Sequence, residues 1–319
     1  MLNINSIALG IVIGLASFGM IIGSANATVM VDFEPSGYVV GSSVDDLKPD
    51  GTTQAPQVSG TNPDAQAWSV RDSSTESIVN FGGSHGKVWR LDSTGTNQQN
   101  RPHSPHAGDL PSTSTKQFSG EPGAIDDFGS ETPTTNTFYA QFDFRAVDGT
   151  NGFTGNGVVD VYSNCGDDCR HSYIRIIDDG SAFDLQFFDT GIGGFGDFQS
   201  HDVDLNLAYD MWHTVAMSIQ FIDGQNGDGS GNDIVSYFVD NTLIATATSW
   251  ETGYRISTSS ERGVDRLAFN SSLDSGPGLY FDNILISDAA PSVPEPATLT
   301  LFGLGLAGLG FARRRRRAA

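Results

Sequence analysis

Phe138-Tyr139-Ala140-Gln141-Phe142-Asp143-Phe144-Arg145-Ala146 alternates without a break: Phe138, Ala140, Phe142, Phe144 and Ala146 share one face, and the polar side chains, with Tyr139, share the other. Successive side chains of an extended chain point to opposite sides, so this stretch is predicted to be a strand with one buried and one wet face. The same period recurs in Val215, Met217, Ile219 and Phe221, in Ile174 and Ile176, and in Leu267 and Phe269. Shorter apolar runs lie at 29–33, 78–81, 158–162, 183–188, 234–239, 242–247 and 279–286, separated by clusters of Gly, Asp, Asn and Ser. No segment between the two ends of the chain reads as an amphipathic helix. Tyr237-Phe238-Val239-Asp240-Asn241-Thr242-Leu243-Ile244 reads as a tight hairpin, because Asp and Asn tolerate the left-handed backbone such turns require. Roughly a dozen strands in one body call for two stacked sheets, each burying one face and wetting the other.

Two stretches carry a resemblance. Met211-Trp212-His213-Thr214-Val215 followed by Tyr237-Phe238-Val239-Asp240-Asn241 resembles the Trp-His-x-Val and Val-Asp-Gly/Asn strand pair of laminin-G-like and concanavalin A-like jelly rolls. Phe281-Asp282-Asn283-Ile284 resembles the closing strand of the same group. The resemblance covers residues 130–288, and reaches back to Val29 if Asp32-Phe33-Glu34 and Lys87-Val88-Trp89-Arg90-Leu91 supply the opening strands. It implies an all-β, two-sheet jelly-roll sandwich that closes on its N-terminal strand, with a leaning toward glycan binding. It does not fix an activity, since this fold hosts lectins, hydrolases, lyases and adhesion modules.

Both ends read as addresses. Ile7 to Ile22 is an apolar core followed by Gly23, Ser24 and Ala25-Asn26-Ala27, a secretory signal peptide with cleavage after Ala27, although no Lys or Arg precedes the core. At the other end Pro294-Glu295-Pro296 leads into the apolar run Ala297 to Ala312 and then Arg313, Arg314, Arg315, Arg316 and Arg317. As a helix at about 1.5 Å per residue that run reaches roughly 24 Å, short of a hydrocarbon core of roughly 30 Å. Gly303, Gly305, Gly308 and Gly310 weaken it by up to about 1 kcal/mol each relative to Ala. The tail resembles the PEP-CTERM sorting signal of Gram-negative bacteria. That resemblance implies transient insertion in the inner membrane with the arginines on the cytoplasmic side. It also implies processing by an exosortase-type transpeptidase in organisms that make exopolysaccharide. The expected division is a signal peptide over 1–27, a sandwich over 28–290 and a sorting signal over 291–319.

The chain holds 38 Asp+Glu against 17 Lys+Arg, and five of those arginines lie in the tail, so the body is more acidic than the overall charge of −21. This excludes a general nucleic-acid binder and favours solubility and divalent cations. Cys165 and Cys169, the only cysteines, read as a disulfide in an exported protein.

Candidate chemistry is sparse. The Glu-x-Asp-x-x-Glu triplet of related glucanases is missing, and the nearest segment, Asp126-Asp127-Phe128-Gly129-Ser130-Glu131, lacks its leading Glu. His171, Tyr173 and Arg175 share one face of a strand and match the residue types of alginate-lyase-like relatives. Asp223, Asn226, Asp228, Ser230 and Asp233 lie in a Gly-rich stretch that fits either a calcium loop, calcium being the one cofactor candidate, or a long polar hairpin connection. Tyr237 stands where a calcium loop would place a bidentate Glu. Trp68, Trp89, Trp212 and Trp250 are candidates for stacking on sugars or for the core. The expected protein is therefore an exported surface or matrix protein with a non-catalytic glycan-binding or structural sandwich. The alternative is a secreted polysaccharide lyase or glycoside hydrolase.

Overall fold

A computed structural model describes residues 28–45, 47–48, 51–53, 68, 76–91, 102, 104–105, 137–150, 157–164, 170–191, 198–222, 226–228, 230–250, 252, 264, 266–271 and 277–287. Ala25, Ala27, Cys165, Cys169, Asp223, Pro294, Glu295, Pro296, the arginines 313–317 and the side chain of His171 lie outside the described residues.

The alternating runs form strands as their period predicts. They are β1 (Thr28–Val31), β2 (Glu76–Asn80), β3 (Lys87–Leu91), β4 (Thr137–Ala146), β5 (Val158–Asn164), β6 (Arg170–Asp178) and β7 (Phe183–Thr190). After these come β8 (Phe198–Leu207), β9 (His213–Gln220), β10 (Ile234–Val239), β11 (Thr242–Ala247), β12 (Arg266–Ser271) and β13 (Leu279–Ser287). A single 3-10 turn, Gly83–His85, lies between β2 and β3. An eight-stranded antiparallel sheet runs β11-β10-β9-β4-β13-β3-β2, with β1 paired to β13, and a five-stranded sheet runs β12-β5-β6-β7-β8. The body is thus an all-β, two-sheet jelly-roll sandwich closed on its N-terminal strand.

Strand β8 is the one strand that neither the apolar runs nor the resemblance predicts. It is an edge strand with Asp202 and Asp204 exposed and Val203 and Leu205 only half-buried, so little apolar patterning is needed to hold it. Charge on an edge also discourages pairing with another chain.

The core is aromatic. Phe269 of the small sheet packs against Trp68, Trp89, Phe142 and Phe281 at ring-centroid distances of 6.2, 5.2, 6.0 and 5.1 Å. Trp89 and Phe281 are register partners across β3 and β13, and Phe144 faces Phe281 across β4. These inward pairs fix which residues point outward, since a slip of one residue would exchange the two faces.

The Trp-His-x-Val and Val-Asp-Asn motifs form one latch. Asp240 and Asn241 both have positive φ, 47° and 63°, as a two-residue hairpin turn between Val239 and Thr242 requires. The Asp240 carboxylate accepts from Thr214 N at 2.9 Å and lies 3.1 Å from His213 Nδ1, while His213 Nε2 lies 3.0 Å from Ala208 O. His213 is buried. Asp240→Ala removes both Asp240 contacts and is expected to lower stability by roughly 1–3 kcal/mol in urea unfolding, with Asp240→Asn recovering part of the loss.

Candidate functional site

Strand β13 changes neighbours midway. Leu279, Tyr280 and Phe281 pair with β3, whereas Ile284 to Ser287 pair with β1. Between them the register against β4 shifts, and Asn283 takes φ 49°. This is a bulge, a device that re-aims side chains. Its residues, Asp282 and Asn283, are the polar centre of the closing-strand motif.

On the outer face of the large sheet, register aligns Arg90, Tyr280 and Arg145 across β3, β13 and β4. One row further it aligns Asp282, Asp143 and Thr214 across β13, β4 and β9. Directly opposed like charges are unfavourable unless other groups compensate. Asp143 is compensated: Thr214 Oγ1 donates to it at 2.6 Å and Asn283 Nδ2 at 2.7 Å.

The β2–β3 connection folds over this end of the sheet. His85 stacks on Trp212 with centroids 4.1 Å apart and 16° between the planes, and its Nδ1 lies 2.7 Å from Asp282 Oδ2. Phe81 meets Trp212 at 5.3 Å and Tyr280 at 5.5 Å, and the Arg145 guanidinium lies 4.9 Å above the Phe81 ring. The three rings of Phe81, Trp212 and Tyr280 are half-buried, so the assembly is an aromatic wall beside a polar floor.

Asp282 is only 2% exposed, yet its Oδ1 has no hydrogen-bond partner. Arg145 Nε and Trp212 Nε1 are likewise buried without partners. Buried polar atoms are nearly always satisfied, and each exception costs on the order of 1–3 kcal/mol. Other enclosed carboxylates among the described residues have their donors in place. The half-buried Glu76 receives Trp89 Nε1 at 2.8 Å, Val44 N at 3.2 Å and the Ser43 hydroxyl. Asp189 receives Thr248 N and Oγ1, and Thr190 N. Three of the orphaned atoms, one of them on a buried carboxylate, lie on neighbouring side chains of the Asp282 face.

Burial pushes the Asp282 carboxyl up from 3.8 to about 6, with the charge of Asp143 adding to the rise; the hydrogen bonds from His85 and from the Asn283 backbone pull it partly back. A carboxyl raised in the folded state binds its proton more tightly there than in the unfolded chain. Stability is therefore lost as pH rises through the window from about 4 to about 6 and stays lost above it.

Other residues singled out in the sequence fall elsewhere. Tyr173 and Arg175 lie on the outer face of the small sheet. Tyr173 is buried, stacked 4.3 Å from Phe188, 5.0 Å from Tyr162 and 5.6 Å from Trp250. Arg175 grips Asp160 through Nε at 2.6 Å and Nη2 at 2.9 Å. In the polar connection after β9, Asn226 Nδ2 donates to Ser230 Oγ and Gly231 O, and Ser230 donates to Asp228 Oδ1. Asp233 accepts from Ile222 N at 2.8 Å and from the Ser249 hydroxyl. Trp68 and Trp89 belong to the core, Trp250 covers the small sheet's outer cluster, and Trp212 is the half-exposed one. Phe81, His85, Asp143, Arg145 and Tyr280 escaped the sequence reading, although Asp143 and Arg145 stand on the wet face of the 138–146 run.

Residues 292–317 match the PEP-CTERM protein-sorting motif. No curated protein matches the chain. Among solved structures, alginate lyase Aly36B bound to an alginate trisaccharide is similar at 10% identity over 84% of this chain and 100% of that one, TM-score 0.47. The T. cruzi calreticulin globular domain shows 11% identity over 79% and 95%, TM-score 0.42. The endo-beta-1,4-glucuronan lyase of the fungus Trichoderma reesei shows 11% over 68% and 89%, TM-score 0.37.

The Asp282→Asn variant removes the buried charge while keeping an acceptor for His85. It is expected to be more stable than the parent by on the order of 1–3 kcal/mol in urea unfolding at pH 8. Near pH 4, where the native carboxyl is already protonated, the difference should close.

Proposed function

We propose that this chain is exported, sorted through its C-terminal motif by an exosortase-type transpeptidase, and displayed at the cell surface or in the extracellular matrix as a glycan-binding β-sandwich. The sorting-motif match over 292–317 supports the address. One structural observation carries the binding reading: three orphaned polar atoms, Asp282 Oδ1, Arg145 Nε and Trp212 Nε1, gathered beside the half-buried rings of Phe81, Trp212 and Tyr280. Aromatic faces suit the C–H faces of sugars, and orphaned donors and acceptors suit their hydroxyls.

In this reading residues 1–27 are the signal peptide, 28–290 the sandwich, and 291–319 the sorting signal, whose apolar run enters the inner membrane before it is cut. Cys165 and Cys169 form a disulfide. The pairing of Asn164 with Arg170, the residues flanking the two cysteines, supports that bond. The polar connection over 223–233 is the place where calcium would bind. Binding is favoured over catalysis because Tyr173 is buried among rings and Arg175 is forked onto Asp160.

The secreted protein tests the address directly. Intact-mass and peptide mass spectrometry should find Thr28 at the N-terminus and no peptide containing Arg313 to Arg317. Recovery of the uncut arginine tail on secreted material from a host with the transpeptidase would contradict the sorting reading. Retention on polysaccharide gels without release of reducing or unsaturated ends is the expected activity; release of such ends, abolished by Tyr173→Phe, would favour the catalytic alternative.

A further inference from the structure

The orphaned atoms of the outer face form a set with a definite chemistry. One is an acceptor, Asp282 Oδ1, and two are donors, Arg145 Nε and Trp212 Nε1. A hydroxyl group both donates and accepts, so the hydroxyls of a glycan can answer all three. Three features weigh against a polyuronate. Its carboxylates offer no donor to Asp282. They would also meet Asp143 and Asp282, already opposed across β4 and β13. Finally, they would approach a chain whose net charge is −21. Of the two cations on this face, Arg145, whose Nε is one of the three, already lies over the Phe81 ring, and Arg90 Nη2 donates to Pro277 O at 3.3 Å. An amino-sugar polymer is disfavoured from the other side, since an ammonium only donates and offers no acceptor to the two orphaned donors, Arg145 Nε and Trp212 Nε1.

Access needs a movement, because all three atoms are buried as the structure stands. Their cover is the short connection from Phe81 to Gly86. His85 ties it to the sheet through Asp282 and the Trp212 ring, and Phe81 N and Gly82 N each donate to Gly86 O at 2.8 Å. Gly82, Gly83 and Gly86 have φ of 83°, 65° and 49°, and nothing lies within 4 Å of a Cβ built on Gly82 or Gly83. Gly82 and Gly83 are therefore not wedged against the body, and the ties that a ligand must displace are those of His85 and those of the Phe81 ring to Trp212, Tyr280 and Arg145.

We infer that this site takes an uncharged, hydroxyl-rich glycan, bound by Asp282, Arg145 and Trp212 after the Phe81–Gly86 turn lifts His85 away. The inference rests on the glycan-binding reading above and narrows it to a ligand class.

Calorimetric titration of the full chain with three oligosaccharide series, an uncharged glucan or mannan, a polyuronate and an amino-glycan, tests it. The expected result is binding of the uncharged series, weakened about tenfold or more by both Trp212→Phe and Asp282→Asn. Thermal melts establish that each variant is folded; Trp212→Phe keeps a ring against His85 and is the variant to read if Asp282→Asn alters the melt. Binding confined to the polyuronate or the amino-glycan would overturn the ligand class and leave a glycan-binding protein. Uncharged-glycan binding unaffected in a folded variant would place the site elsewhere and overturn the inference. Failure of every series to bind would overturn the glycan-binding reading itself.

Discussion

Trp89 and Phe281 face each other across β3 and β13, with Phe142, Phe144 and Phe269 closing around Phe281. The constraint this imposes reaches well beyond the core. Strand side chains alternate, so seating Phe281 inward obliges Tyr280 and Asp282 to face outward, and seating Phe142 and Phe144 inward does the same for Asp143 and Arg145. Burying a single aromatic side chain contributes several kcal/mol, whereas opposing two carboxylates across a strand pair costs a fraction of that. The core therefore sets the register, and the outer face must accommodate the charges it is handed.

It does so unevenly. Asp143 is neutralised by hydrogen bonds from Thr214 and Asn283. Asp282 is not fully neutralised: it has His85 on one oxygen and nothing on the other. Elsewhere in the same molecule Asp160 and Asp189 are buried with their donors in place. The fold is thus capable of satisfying an interior carboxylate, and its failure to do so at one spot, beside two further orphaned donors, is a local sacrifice of stability. Such sacrifices concentrate where a ligand completes the arrangement.

Much of the fold was legible in the chain because its signals are local. The 138–146 run announces both of its faces, Asp240-Asn241 announces its turn, and the closing strand announces its pairing with the N-terminal strand by resemblance. Strand β8 was hidden because an edge strand needs only one weakly buried face. The site was far less legible. Asp143 and Arg145 were visible as wet-face residues, but nothing near them in sequence says that β13 lies alongside or that His85, 197 residues from Asp282, arches over it. Conversely, His171, Tyr173 and Arg175 share a face by period alone. Only the neighbouring strands reveal that Arg175 answers Asp160 and that Tyr173 fills an aromatic cluster. The three resemblance motifs did carry information about place: Trp212, Asp240 and Asp282 all lie at the same end of the large sheet, two of them in the site and one in the latch that holds β9 beside it.

The central claim is that the outer face around Asp282 receives a glycan while the aromatic core stays closed. The indole N–H resonances report on it most directly, since the protein has four tryptophans, Trp68 and Trp89 in the core, Trp250 over the small sheet and Trp212 at the site. Two-dimensional nuclear magnetic resonance of the full chain titrated with a glycan fragment should shift the Trp212 cross-peak, identified by its loss in Trp212→Phe, and leave those of Trp68 and Trp89 in place. A saturating titration that moves the Trp250 signal and not that of Trp212 would put the ligand on the opposite sheet and contradict the account.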